Sequence, residues 1–203
     1  MSDLGTFSMT TAALGGTAVT QAITAFASPS GSTSVQTNAV GASVCAIAFL
    51  HYLWMQKSFT SDDNSKVTSL RYSDWFITLP LLLLECMFYS DIHFGDNIHG
   101  IITMFVLLMM MLVCGRVAES RSASILYILG FLCLIGVYVL FISMVEEFTT
   151  KTLLVLVVMG TWILYGIAGM LLRSSSRWKQ VSYNILDLLN KAVFGTVVAL
   201  LSY

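Results

Sequence analysis

The hydrophobic residues of this chain form long runs separated by short polar stretches. A helix needs about 20 apolar residues to cross a bilayer, and the runs predict seven such helices, at about 6–27, 38–56, 71–90, 98–117, 122–144, 150–172 and 181–203. The first is the weakest, since it is rich in Ala, Thr and Gly and carries one long polar side chain, Gln21. Linkers of about five to fourteen residues favour sequential antiparallel neighbours. The pattern therefore predicts an all-α membrane protein, a seven-transmembrane-helix bundle forming one domain over residues 1–203.

Composition supports this prediction. The chain is 57% hydrophobic and 10% charged, with a mean hydropathy of +0.82, whereas soluble domains carry about 25% charged residues. We therefore expect a lipid bilayer around the chain. The net charge of −1 gives no electrostatic reason to expect nucleic-acid binding. The four cysteines lie in apolar runs without CxxC spacing, which favours buried thiols over disulfides or a metal site: Cys45, Cys86, Cys114 and Cys133.

The last hydrophobic run carries a lysine near its middle. Lys191 follows Asp187 at i, i+4 spacing, so both lie on one face of a helix. A lysine at membrane depth is costly and usually functional. The amine either stays charged in a structural ion pair or acts as a nucleophile that condenses with an aldehyde to a Schiff base. This run alone leaves both interpretations open.

The third run carries a polar stripe. On a helix, Arg71, Asp74, Thr78 and Glu85 fall within roughly 60° of one another. Asp74 and Glu85 are about 16 Å apart along the axis, which is about half a bilayer. This spacing favours a proton relay over an acid–base pair acting on one bound substrate, so an enzyme is not indicated. The alternative is a set of interhelical polar contacts.

The stripe and the lysine together predict one site. Asp74 and Asp187 would flank a protonated Schiff base on Lys191, with Arg71 balancing the charge. Asp74 is then the natural proton acceptor. Glu85 follows a run of four leucines, so we expect it to be protonated at rest and able to donate later.

These residues resemble a known family. The stretch Arg71-Tyr-Ser-Asp-Trp75, followed by Thr78 and Pro80, together with Asp187 four residues before Lys191, resembles the microbial (type 1) rhodopsins. Within that family, the chain is most similar to the proteorhodopsin and xanthorhodopsin group of light-driven proton pumps.

Further matches support this resemblance. Asp74, Thr78 and Glu85 reproduce the Asp-Thr-Glu triplet of the proton pumps in this group. The run Ala48–Met55 resembles its second helix, whose histidine, here His51, partners the acceptor aspartate. The run Tyr183–Gly195 tracks its seventh helix.

The resemblance implies a cofactor and a function. All-trans retinal would be bound covalently to Lys191 and packed between Trp75, Trp162 and Tyr165, residues that would otherwise be interpreted as core. Leu82 occupies the position where leucine marks green-absorbing and glutamine blue-absorbing proteorhodopsins. The implied function is light-driven transport of protons; a photosensor that signals to a partner and a light-gated channel remain alternatives.

The chain departs from the family pattern at three places. Gly166 stands where the family usually has proline, and glycine permits a helix bend without imposing one. Leu129 at a fifth-helix position argues against an antenna carotenoid, although a shift of one residue would place Gly130 there and favour one. The stretch 173–180 contains no acid, so the proton-releasing carboxylate pair of haloarchaeal pumps has no evident counterpart.

The distribution of basic residues conflicts with the family's orientation. Seven of the ten Lys and Arg residues lie on the N-terminal side of the predicted membrane, Lys151 lies on the other side, and Arg71 and Lys191 lie within it. The positive-inside rule would place the N-terminus in the cytoplasm, whereas the family places it outside. We adopt the family orientation, in a multi-pass protein of the cell membrane; inverted, the same relay would move protons inward. Family habit also implies a homo-oligomer, a pentamer or hexamer.

Overall fold

The computed structural model describes residues 3–59, 65–121, 123–172 and 177–202. Within these ranges the chain forms seven helices and no strand, which confirms the predicted fold class. Their bounds are α1 Asp3–Ala27, α2 Thr33–Ser58, α3 Ser65–Tyr89, α4 Phe94–Arg121, α5 Ser124–Met144, α6 Thr150–Leu171 and α7 Arg177–Leu201. Helix α7 is α-helical over Arg177–Asp187 and Phe194–Leu201, with a π-helical turn, Leu188–Val193, between them.

Several helices begin earlier than the hydrophobic pattern predicts. Helix α2 starts at Thr33 because Ser32 caps it, its side chain accepting a hydrogen bond from the backbone N–H of Val35. Helix α3 starts at Ser65 and not near Arg71. Hydropathy detects only the part of a helix that lies in hydrocarbon, so polar first turns are assigned to loops. Arg173, one of the cations used to judge orientation, lies outside the described residues.

The helices form a closed ring. Each packs against the next along the chain, most extensively in the pairs α1–α2, α2–α3 and α4–α5, and α1 also contacts α7. Five helices of the described chain are long and apolar enough to cross a membrane, namely α2, α4, α5, α6 and α7. The outward faces of α4 and α5 expose large apolar side chains, such as Ile102, Val106, Ile128 and Leu132. Buried polar side chains are concentrated on α1, α3 and α7, inside the ring, where a bilayer favours them.

The π-helical turn in α7 surrounds Lys191. A π turn pairs each N–H with a carbonyl five residues back and often occurs at a functional site. Two carbonyls of this turn accept hydrogen bonds from neighbouring helices. The Sγ of Cys45 in α2 donates to the carbonyl of Lys191 at 3.6 Å, and the Oγ1 of Thr17 in α1 donates to that of Ala192 at 3.1 Å. The backbone that carries the lysine is thus bonded to α1 and α2.

Helix α6 runs unbroken through Gly166, where the family usually has proline. The ring of Phe131 in α5 occupies the space beside this glycine, since a Cβ there would lie 2.6 Å from the ring. A proline or any other side chain would displace Phe131. Glycine at this position therefore lets the ring of Phe131 pack directly against α6.

Candidate functional site

The site forms around the amine of Lys191 in the middle of the bundle. Lys191 is 2% exposed. Its Nζ lies 2.5 Å from Oδ2 of Asp74 on α3 and 3.6 Å from Oδ1 of Asp187, one turn earlier on α7. Both carboxylates are fully buried. The structure thus brings together the amine and the two carboxylates that the sequence singled out.

Asp187 is held by donors from four side chains. Its Oδ2 accepts hydrogen bonds from the hydroxyl of Tyr52 at 2.7 Å and from Arg71 at 3.0 Å. Its Oδ1 accepts from Nε1 of Trp75 at 3.1 Å and from the hydroxyl of Tyr165 at 2.9 Å. Four donors to one buried carboxylate stabilise its charged form.

Arg71 is fully buried beside this cluster. Besides Asp187, its guanidinium donates to the hydroxyl of Tyr52 at 2.9 Å, to Oε1 of Gln180 at 3.2 Å and to Oδ1 of Asn184 at 2.7 Å. Two cations, on Arg71 and the lysine, thus face two carboxylates. This balance, together with the hydrogen bonds, offsets the cost of burying four charges.

Asp74 has fewer partners than Asp187. Its Oδ2 contacts the lysine, while its Oδ1 has no hydrogen-bond donor among the described residues. The Nδ1 of His51 lies 3.8 Å from that oxygen, beyond hydrogen-bond length, and 3.0 Å from the carbonyl of Ile47. The hydroxyl of Thr78 donates to the backbone carbonyl of Asp74 at 2.9 Å. His51 and Thr78 therefore lie beside Asp74, and its carboxylate keeps one oxygen available to accept a proton.

An aromatic cavity of about 80 Å³ adjoins the charged cluster. Trp75, Trp162 and Tyr165 line it, together with the glycines at 115, 130 and 166. Trp75 and Tyr165 also donate to Asp187, so the cavity wall reaches the charged cluster. Leu82 is buried in the same apolar cluster as Trp162.

The two fifth-helix residues considered for an antenna contact face different ways. Leu129 is 44% exposed, whereas Gly130 is buried and lines the cavity. Of the two residues, the glycine therefore forms the cavity wall.

Glu85 lies on α3 about three turns beyond Asp74, and it is 1% exposed. Its Oε1 accepts a hydrogen bond from Nε2 of Gln21 on α1 at 2.8 Å. Leu82 and Leu83, which precede it, are buried in the core. All four members of the polar stripe on α3 are thus buried, and they lie at different levels of the bundle.

Comparison with known proteins assigns the family. The model of the bacteriorhodopsin-like protein family matches residues 3–202. The chain belongs to this family. It is a microbial rhodopsin and an integral membrane protein, as the sequence motifs predicted.

Individual relatives agree with this assignment. The rhodopsin is 28% identical to the green-light absorbing proteorhodopsin of Gamma-proteobacterium EBAC31A08, with 76% of this chain and 69% of the relative covered. Among solved structures, the viral rhodopsin OLPVRII has a TM-score of 0.87 at 19% identity, with 98% of this chain and 96% of that chain covered. Xanthorhodopsin, described as a light-driven ion pump with dual chromophore, has a TM-score of 0.80 at 20% identity, with 98% and 91% covered.

Sequence reasoning missed several partners in this rhodopsin. Tyr52 lies inside a recognised motif, but nothing in its spacing indicated a bond to Asp187. Gln180, which holds Arg71, gave no signal beyond being polar, and Asn184 lies inside a recognised motif whose spacing did not indicate a bond to Arg71. Gln21 gave the clearest signal, since it is the one long polar side chain in the middle of α1.

A buried ion pair was also missed. Nζ of Lys179 on α7 lies 2.5 Å from Oε1 of Glu119 on α4, and the hydroxyl of Tyr72 donates to Oε2 of Glu119 at 3.1 Å. The stretch 173–180 itself contains no acid. Glu119 reaches this region from another helix, and linear spacing does not indicate such a contact.

Proposed function

We propose that this protein is a light-driven proton pump in which retinal is bound to Lys191, Asp74 accepts the transported proton and Glu85 donates its replacement. Family membership supports the cofactor, and the proteorhodopsin and xanthorhodopsin relatives support the pump. The observation that carries the proposal is the position of Nζ of Lys191, 2.5 Å from one carboxylate and 3.6 Å from a second.

The residues around Lys191 fit retinal. All-trans retinal, joined through its aldehyde carbon to Nζ of Lys191 as a Schiff base, would supply light absorption and a light-dependent affinity for the proton. The aromatic cavity is lined by Trp75, Trp162 and Tyr165. Nε1 of Trp162 is buried without a partner among the described residues. An apolar group with an aldehyde at one end matches the aromatic lining in its chemistry, and the cavity of about 80 Å³ would have to widen to hold it.

The two carboxylates near Lys191 have different roles in this proposal. Asp187 accepts four hydrogen bonds, so protonating it would disrupt several of them. Asp74 lies nearer to Nζ and has an oxygen without a donor among the described residues. A proton leaving Nζ therefore passes to Asp74, while Asp187 remains the fixed counter-ion.

Glu85 favours a pump over a sensor or a channel. It is a buried carboxyl about 16 Å along α3 from Asp74, so it can supply a proton from the opposite half of the membrane. Arg71 lies on the other side of Asp74, where it is paired with Asp187. In this proposal the proton therefore moves from the half of the membrane that contains Glu85 toward the half that contains Arg71.

The proposal extends to the assembly. The protein would lie in the cell membrane as one seven-helix retinal-binding domain, with its N-terminus outside, and would form a homo-oligomer. Since Gly130 and not Leu129 lines the cavity, the leucine gives no argument against a carotenoid antenna.

The test is a light-induced pH change. Cells expressing the protein with all-trans retinal should acidify an unbuffered medium on illumination, and a protonophore should abolish the signal. The Lys191→Ala protein, expressed at the same level, is the control and should give no change. A photocurrent that reverses with voltage would instead show a channel, and a complete photocycle without net proton transport would show a sensor.

A further inference from the structure

The proposed proton donor has a partner on the helix whose sequence pattern was weakest. Gln21 is fully buried in the middle of α1, and its Nε2 donates to Oε1 of Glu85 at 2.8 Å. A buried amide costs free energy unless it is hydrogen-bonded. Here the amide donates to a single carboxyl, and its own Oε1 has no partner among the described residues.

Two neighbouring helices leave room for this contact. A Cβ on Gly41 of α2 would overlap both Gln21 and Glu85, and a Cβ on Gly195 of α7 would lie 2.8 Å from Oε1 of Gln21. A larger residue at either position would push the amide away from the carboxyl. The contact between Gln21 and Glu85 therefore depends on residues of four helices.

Polar groups continue from this contact along α2. Asn38, which precedes Gly41 by about one turn, is fully buried, and its Oδ1 has no partner among the described residues. Its Nδ2 donates to the carbonyl of Ser34 at 3.0 Å. Ser34 lines a partly polar cavity of about 150 Å³ together with Thr37 and Asp91. Ser34, at the cavity, and Gly41, beside Glu85, are about 10 Å apart along the helix axis. Asn38 lies between them, and therefore between the cavity and the carboxyl of Glu85.

We propose that Gln21 is a positioning residue for Glu85 and that Asn38 lies on the route by which Glu85 recovers its proton from this cavity. The inference rests on the pump function proposed above. When Glu85 gives up its proton it becomes a buried carboxylate, and the hydrogen bond from Gln21 becomes charge-assisted and stronger. Without that bond the carboxylate would form at a higher cost, and donation would slow.

The first test replaces Gln21 by methionine, which keeps the length of the side chain and removes the amide. The infrared C=O band of protonated Glu85, identified by its loss in Glu85→Gln, should move to higher frequency because its carbonyl has lost a donor. In time-resolved absorption, return of the proton to Lys191 should slow by about tenfold, as expected for one hydrogen bond to a reacting group. Thr24→Val is the matched control, since Thr24 is buried about one turn further along α1 and donates to a carbonyl of its own helix.

The second test addresses the uptake route. Asn38→Leu should leave the Glu85 band and the return of the proton to Lys191 unchanged. It should delay proton uptake from the bulk, as followed with a pH-sensitive dye. An unchanged uptake rate would remove Asn38 from the route.

The outcomes separate this inference from the pump function. If Gln21→Met changes neither the band nor the rate while Glu85→Gln abolishes the band and slows the return, Glu85 is the donor and Gln21 does not position it. If Glu85→Gln itself changes nothing, the pump function fails and the role of Gln21 fails with it. An effect of Thr24→Val equal to that of Gln21→Met would reveal a general effect of α1 packing and would also overturn the role of Gln21.

Discussion

Asp74 and Asp187 both lie next to Lys191, but they differ in how many donors hold them. Asp187 accepts hydrogen bonds from four side chains, whereas Asp74 contacts the lysine at 2.5 Å and has one oxygen without a donor among the described residues. Two chemically identical groups are thereby given different properties by their neighbours. Protonation of Asp187 would disrupt hydrogen bonds from four side chains, whereas protonation of Asp74 would disrupt only its contact with the lysine.

Replacing Lys191 by alanine should abolish the chromophore. The bundle should still form, because Arg71 and Asp187 remain paired and Asp74, which loses its cation, can take up a proton. Absorption spectra after addition of all-trans retinal should show no covalent visible band. As a control, Lys151→Ala changes a half-exposed lysine far from the site and should still yield a coloured protein. A coloured, hydroxylamine-sensitive Lys191→Ala protein would refute the assignment.

Replacing Asp74 by asparagine should shift the absorption maximum to the red. The substitution removes a negative charge close to Nζ of Lys191, so the positive charge of the protonated Schiff base is less localised at that nitrogen. Wild type should show the same shift on acidification, and Asp74→Asn should lose that titration. Asp187→Asn is the comparison, and it should impair folding or retinal binding because four donors lose a charged acceptor. Retention of the full titration in Asp74→Asn would exclude this residue as the acceptor.

His51 allows a separate test of the surroundings of Asp74. Its Nδ1 is 3.8 Å from Oδ1 of Asp74, close enough for an electrostatic effect but too long for a hydrogen bond. His51→Asn should therefore move the midpoint of the acid-induced red shift, measured by absorption spectroscopy. The same midpoint in wild type and His51→Asn would show that the histidine takes no part in the site.

Replacing Glu85 by glutamine should slow the return of the proton to Lys191. The substitution keeps the shape of the side chain and removes its proton, so the proton must come from the bulk. Time-resolved absorption should show a return that is markedly slower and dependent on pH, and azide, a small diffusible acid, should restore its rate. The resting spectrum should barely change, because Glu85 is remote from the lysine. If Glu85→Gln returned the proton with the rate and pH dependence of wild type, a sensor would be favoured over a pump.

Breaking the ion pair of Lys179 and Glu119 should destabilise the protein. Removing one partner of a buried pair leaves an unpaired charge and costs about 3–5 kcal/mol, so Lys179→Met and Glu119→Gln should each lower the free energy of unfolding by about this amount. The double variant should lose less than the sum of the two. Unfolding of the purified protein in detergent measures all three. Additive losses would show that the two side chains do not interact.

The motifs around Lys191 were predictable from sequence because each combines a costly residue with a fixed helical spacing. Lys191 with Asp187, and Arg71 with Asp74, stand out from apolar surroundings on single helices. Contacts between helices were much harder to predict. The bond from Tyr52 to Asp187 joins α2 to α7, and no spacing within either helix indicates it.

The remaining differences also arise from packing. Gly166, where the family usually has proline, appeared in the sequence as a departure, and the ring of Phe131 on the neighbouring helix packs against it. The bond from Gln21 to Glu85 requires two glycines on other helices. A sequence read one helix at a time shows which residues are unusual, while their partners depend on how the helices face one another.

The π-helical turn at Lys191 has a mechanical consequence. Its carbonyls at Lys191 and Ala192 accept hydrogen bonds from side chains of α2 and α1, respectively. A displacement of the Lys191 backbone would therefore act directly on these two helices. The same two helices carry Gln21 and Gly41, which surround Glu85. Helices α1 and α2 therefore contact both the backbone at Lys191 and the side chain of Glu85, without the involvement of α6.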